Sequence, residues 1–95
     1  MAKFNPGQIV VTNGVASFIR NVPEFHVFVN RSLVRHLNGD WGNICEEDKA
    51  MNDAAIISDN RILSSYEHPM NYDWNIWIIT EWDRSSTTIL FPDEY

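Results

Sequence analysis

The chain has 95 residues, 13 acidic against 7 basic side chains, a formal charge of −6 and a pI near 4.8. That length holds one domain, residues 1–95, with little room for an elaborate active site, and neither the charge nor any Lys/Arg run supplies the basic stripe of a nucleic-acid binder. A 44% hydrophobic share with 13% aromatics is enough for a folded core and too much for a disordered acidic tail.

Gln8 to Thr12, a β-branched run after Pro6-Gly7, predicts a short strand. Residues 15–20 admit two readings. They form a short helix capped by Thr12 or Asn13, or a second strand turned back through Asn13-Gly14. The lack of strict alternation favours the helix. A second helix is expected over 24–37, with Asn21 as its cap, Pro23 in its first turn and Asn38-Gly39 as its stop. Phe25, Phe28, Val29, Ser32, Leu33, His36 and Leu37 share one face of it at three-to-four spacing.

Asp40 to Asn43 reads as a loop, and Glu46-Glu47-Asp48 lead a third helix to about Ser58. The period then changes to two. Arg61–Glu67, Trp74–Trp82 and Thr87–Phe91 predict three strands joined by turns at His68–Asp73 and Asp83–Ser86, an antiparallel meander. Along the middle strand Trp74, Ile76, Ile78, Thr80 and Trp82 share one face, and Trp77 and Ile79 sit on the other, which predicts partial cover on that side by another element or by a partner chain. The expected fold is α+β: two or three helices packed on a three- to four-stranded antiparallel sheet formed mainly by the C-terminal meander, with Gln8–Thr12 as a fourth strand at an edge.

Two constellations carry candidate chemistry. His36, Asp40, Cys45, Glu46, Glu47, Asp48 and Asp53 crowd one helix end, one loop and one helix start. An imidazole among carboxylates suits acid–base catalysis or a borderline cation, but no calcium-loop or zinc spacing is present. A helix N-terminus accounts for Glu46, Glu47 and Asp48 without a site, and His36 on an apolar face accounts for itself as a core or capping residue. Trp41 beside Gly42 is either a plug of the core or an exposed anchor, with Gly42 free to take positive φ. The second constellation centres on Arg84, between Asp83 and a run of hydroxyls. It reads as an anion-binding guanidinium or as part of a charged hairpin turn. Cys45 is the only cysteine, so no intrachain disulfide is possible, and a buried inert thiol is the expected state.

The charge is divided unevenly, with +3 over residues 1–39 and −9 over residues 40–95. Residues 40–59 hold six acids and only Lys49 as a base. That polarity predicts capture of a protein partner with a basic surface, through Asp40, Trp41, Gly42, Glu46, Glu47, Asp48 and Arg84. No catalytic residue, metal or cofactor is assigned. Direct nucleic-acid and membrane binding are not expected, since no stretch approaches an apolar span and Met1–Gly7 lacks an apolar signal core. The expected location is the cytoplasm. The rival reading is a small metal-dependent hydrolase or nuclease using His36, Asp40 and nearby carboxylates, which must then converge in a cleft. A third is a homodimer built on an exposed sheet face.

The strings Gly39-Asp40-Trp41-Gly42, Cys45-Glu46-Glu47-Asp48, Asn52-Asp53 and Arg61 to Tyr66 bear a likeness that Ile76 to Glu81, Asp83-Arg84-Ser85, Thr87 to Leu90, Pro92 and Tyr95 complete. With them the whole chain resembles a family of small uncharacterised proteins of about this length encoded on bacterial plasmids, phages and integrative elements. The resemblance implies a mobile-element accessory protein, of a kind that opposes host defence or regulates gene transfer.

Overall fold

The computed structural model describes residues 2–95. It is an α+β fold with three α-helices and one four-stranded sheet. In chain order the elements are β1 (Gln8–Val11), α1 (Asn13–Asn21), α2 (Pro23–Leu37), α3 (Glu46–Ser58), β2 (Ile62–His68), β3 (Asn71–Thr80) and β4 (Ser86–Leu90), followed by a 3-10 turn over Pro92–Glu94. The strands lie in the order β1-β4-β3-β2. The meander β2-β3-β4 is antiparallel as expected, whereas β1 joins β4 in parallel, so the sheet is mixed.

Several elements differ from expectation at their ends. Residues 15–20 are helical, and Thr12 is the cap, its hydroxyl accepting the Val15 N–H at 3.4 Å. Asn21 does not cap α2. It ends α1 and donates to the Ser17 carbonyl, and extended Val22 makes the joint. The expected turn at 68–73 shortens to Pro69-Met70, because β3 starts at Asn71, and Trp82 falls beyond β3 in an exposed turn. Gly39 takes φ +81, the left-handed position that ends α2.

Alternation along β3 divides the sheet as its sequence implies. Ile76 and Ile78, with Tyr66 of β2 and Ile89 of β4, pack under Val15 of α1 and Phe25, Phe28 and Val29 of α2. Burying this many large apolar groups is the main stabilising term, at roughly 1.5–3 kcal/mol for each full side chain. Phe18, Phe25, Trp74 and Phe91 meet at 5.6–6.2 Å, mostly edge to face, with Phe18 and Phe25 closest at 4.6 Å. A second cluster of Trp41, Ala55 and Ile62, flanked by Phe4, Ile44 and Ile56, fixes α3 to the outer end of the sheet. On the opposite face Ile79 and Leu90 are buried, and Tyr95 stands edge-on to Trp77 at 5.5 Å.

Candidate functional site

The loop after α2 is organised by Arg35 and Asp40. The Arg35 guanidinium donates from Nε to Asp40 Oδ2 at 2.7 Å and from Nη2 to Oδ1 at 3.1 Å, and it lies 4.8 Å from the centre of the Tyr66 ring. This bidentate bond is the main cause of two opposite shifts: the Asp40 carboxyl is held below the usual carboxylate range, and the Arg35 guanidinium is raised. The Tyr66 hydroxyl donates to the Asp40 carbonyl at 2.6 Å, and burial pushes that phenol up. Asp40 is therefore occupied with loop geometry.

Of the two readings of Trp41, core plug or partner anchor, the first holds: it is the plug of the second cluster and only 3% exposed, so its place among the binding residues falls away. Its ring meets Phe4 and His36, and its indole N–H donates to Asp53 Oδ1 at 2.9 Å. Gly42 has φ +76, and its bridge to Ser65 runs so close that a Cβ would collide with the Ser65 carbonyl and come within 2.7 Å of the Tyr66 ring. It is a structural glycine.

Glu46, Glu47 and Asp48 fill the first turn of α3, all exposed. Cys45 precedes them as the N-cap with no side-chain cap bond, so the carboxylates face the positive end of the helix dipole without competition. The thiol is exposed, not buried as expected, because a cap residue sits outside the helix it starts. One acid here has an ionic partner, Glu46 with Lys49 at 3.5 Å.

Arg84 is no free anion site. It takes φ +59 in the hairpin turn, and its guanidinium donates to the carbonyls of Ala55 at 2.7 Å, Asn60 at 2.7 Å and Glu81 at 3.0 Å. It thus closes the C-terminus of α3, a helix with no basic residue in its own last turn. Asp83 accepts the Ser85 N–H at 3.0 Å, the local turn bond that a charged hairpin needs.

His36 is fully buried. Its Nδ1 lies 2.6 Å from Ser64 Oγ and its Nε2 2.9 Å from Thr80 Oγ1, while Thr80 Oγ1 lies 2.7 Å from Thr87 Oγ1. Thr87 in turn donates to the Pro6 carbonyl at 2.7 Å. A carbonyl only accepts, so the proton order along the chain is set: Thr80 donates to Thr87, His36 Nε2–H donates to Thr80, and Ser64 donates to Nδ1. With both ring nitrogens used and burial pushing its pKa down to about 3, His36 is a neutral core group. It faces hydroxyls and aromatic edges, and no carboxylate bonds it, so the convergence that the hydrolase reading requires does not occur. Among the described residues no three His, Cys, Asp or Glu side chains lie close enough to hold a metal ion.

Two amides of the first constellation to which the sequence reading gave no role, Asn52 and Asn43, tie this region together. The Asn52 amide donates to the Leu63 carbonyl at 2.8 Å and accepts the Leu63 N–H at 3.4 Å. The Asn43 backbone N–H donates to Ser65 O at 2.7 Å, and its side-chain oxygen accepts the Glu67 N–H at 3.1 Å. An Asn on the inward face of a helix is itself the signal, since a buried amide demands a partner.

Fold and surface together define a class: a small α+β chain whose first constellation is structural on its inner side and acidic on its outer side, along α3. The chain matches no protein-family model, curated protein or solved structure.

Proposed function

We propose that this chain is a cytoplasmic mobile-element accessory protein that acts by binding another protein, without catalysis of its own. Its acidic surface along α3 meets a basic surface on the partner, and the consequence is inhibition of a host defence or nucleic-acid-handling protein. The observation that carries this reading is the state of the carboxylates on α3: Glu46, Glu47, Asp48, Asp53 and Asp59 are all exposed, and Lys49 pairs with only one of them. Such a concentration of like charge speeds encounter with a basic partner and makes association sensitive to salt. The apolar part of the contact falls to Met51 and Ile57, 68% and 87% exposed, since Trp41 is inside. The resemblance over Gly39–Gly42, Cys45–Asp48 and Ile76–Leu90 supports the mobile-element setting. Among the described residues no helix is long and apolar enough to cross a membrane.

The test is capture of the partner from the host, its purification, and titration with the parent chain and with Glu46→Lys, Glu47→Lys, Asp48→Lys combined. The expected result is an affinity that falls with salt for the parent and is lost in the triple variant. Equal affinity of both chains at low salt overturns the proposal.

A further inference from the structure

Between α3 and the outer edge of β2 lies a half-open groove of about 620 Å³, with Ile44, Met51, Ala54, Ala55 and Leu63 on its walls and Asp48 at its rim. We infer that this groove seats an aliphatic side chain of the partner, presented on a basic amphipathic helix whose Lys or Arg residues meet Asp48 and Glu47; this inference rests on the function proposed above.

Three observations select that occupant. The backbone of β2 at Leu63 is already paired with the Asn52 amide, so an incoming segment cannot add here as a strand and must be recognised by its side chains. Ile44, Met51, Ala54, Ala55 and Leu63 stand beside the polar Asn52 and Asn60 in its walls, and the exposed Met51 is a flexible group that adapts to a varied aliphatic insert. The lining carries one acid and one base, and they are engaged differently. Asp48 makes no ion pair among the described residues, whereas Arg61, the basic residue of the lining, is turned to Tyr95, donating to its hydroxyl at 2.6 Å. With the Arg61 guanidinium held on Tyr95, Asp48 is the charge of the lining left for an insert, and a basic insert is complementary to it.

The probe is a fluorescein-labelled amphipathic helical peptide with Leu on one face and Lys on the other, titrated into the full chain by anisotropy, with a Leu/Glu peptide as control. Saturable binding of the Leu/Lys peptide is expected, with amide shifts centred on Ile44, Met51 and Leu63, and none of the Leu/Glu peptide. Ala54→Trp fills the groove without changing the net charge and should weaken binding about tenfold. Met51→Ser gives a second reading of the same wall if the Trp variant fails to fold. Undiminished binding by whichever of the two folds overturns the groove assignment. If Glu46→Lys, Glu47→Lys and Asp48→Lys together still abolish binding in that case, the acidic-surface reading stands without the groove. Concentration-dependent dimerisation of the parent chain, relieved by Ala54→Trp, would identify a second copy as the occupant and also overturn the inference.

Discussion

Strand β2 closes the sheet on one side and β1 on the other, and their outward backbone groups meet opposite fates. On β2 the groups that turn away from β3 belong to Leu63, Ser65 and Glu67. Leu63 is paired by the Asn52 amide, Ser65 by the Trp41 carbonyl and the Asn43 N–H, and Glu67 by the Asn43 side chain. On β1, Gln8 and Thr12 donate to Ser85 and Ile89, which leaves Ile9 and Val11, by alternation, facing outward. Their side chains are 41% and 39% exposed, and among the described residues no backbone bond from outside the sheet reaches either of them. An unpaired edge is a template for unwanted pairing, and β1 limits it by being four residues long. The seven-residue β2 has the longer edge and receives the dedicated cover. The lesson concerns motif reading: Asp40-Trp41-Gly42-Asn43 with Asn52 has the residue types of an active site because edge cover needs the same polar groups.

Breaking the cover should produce the largest effect. Gly42→Val places a β-branched residue at φ +76 and drives its Cβ into the Ser65 carbonyl, so the Gly42–Ser65 bridge cannot survive. The expected loss is about 3 kcal/mol or more, a large part of the roughly 5–15 kcal/mol available to a domain. Guanidinium unfolding measures it, and light scattering should detect association through the uncovered β2. A loss under about 1 kcal/mol would show that the loop does not hold the edge.

The two edges are linked through the core. Ser64 of β2, His36 of α2, Thr80 of β3, Thr87 of β4 and Pro6 before β1 form one hydrogen-bonded chain beneath the helices. Because burial lowers the His36 pKa from 6.5 to about 3, the unfolded chain takes up a proton below pH 6.5 that the folded chain refuses. Stability is thus full above pH 6.5 and declines as pH falls toward 3, by about 2 kcal/mol at pH 5. The carboxylates held low by hydrogen bonds, Asp40, Asp83 and Glu94, add their losses only as pH falls through and below their ordinary value, so the window above it reports His36. Urea unfolding across that window should show the decline in the parent and a flatter profile in His36→Gln. A flat profile in the parent would mean that the ring finds a way to ionise in place.

Most of the fold was legible because it rests on local patterns. The period of two around Ile76–Ile79, the three-to-four spacing of Phe25, Phe28 and Val29, and the Asn38-Gly39 stop each express a nearby physical preference. The parallel pairing of β1 with β4 was not legible, since it joins residues some eighty positions apart and no local signal encodes strand direction. The candidate site was legible as a place and, for His36, Arg84 and the acids of α3, as structural residues, but not in its particular bonds. Arg84 to Ala55, Asn43 to Glu67 and His36 to Thr80 are bonds between elements, and only the fold decides whether a polar side chain looks outward or closes a neighbour's backbone. The carboxylates of α3 came out as expected because a helix N-terminus holds acids outward whatever the fold.

The open edge offers the mildest test. Proline removes one N–H and sets φ near −65°, which an edge strand tolerates where the lost N–H bonds nothing. At Ile9 the N–H faces outward and unpaired, so Ile9→Pro should cost no more than about 1 kcal/mol, chiefly from partly lost packing of a side chain already 41% exposed. At Leu63 the same change deletes the N–H that Asn52 accepts and orphans a largely buried amide oxygen, so Leu63→Pro should cost about 3 kcal/mol. Amide exchange supplies a measurement without mutation: Leu63 and Ser65 should be protected to a degree that Ile9 and Val11 are not. Equal costs for the two prolines, together with equal protection of the two edges, would mean that β1 is covered in solution as well.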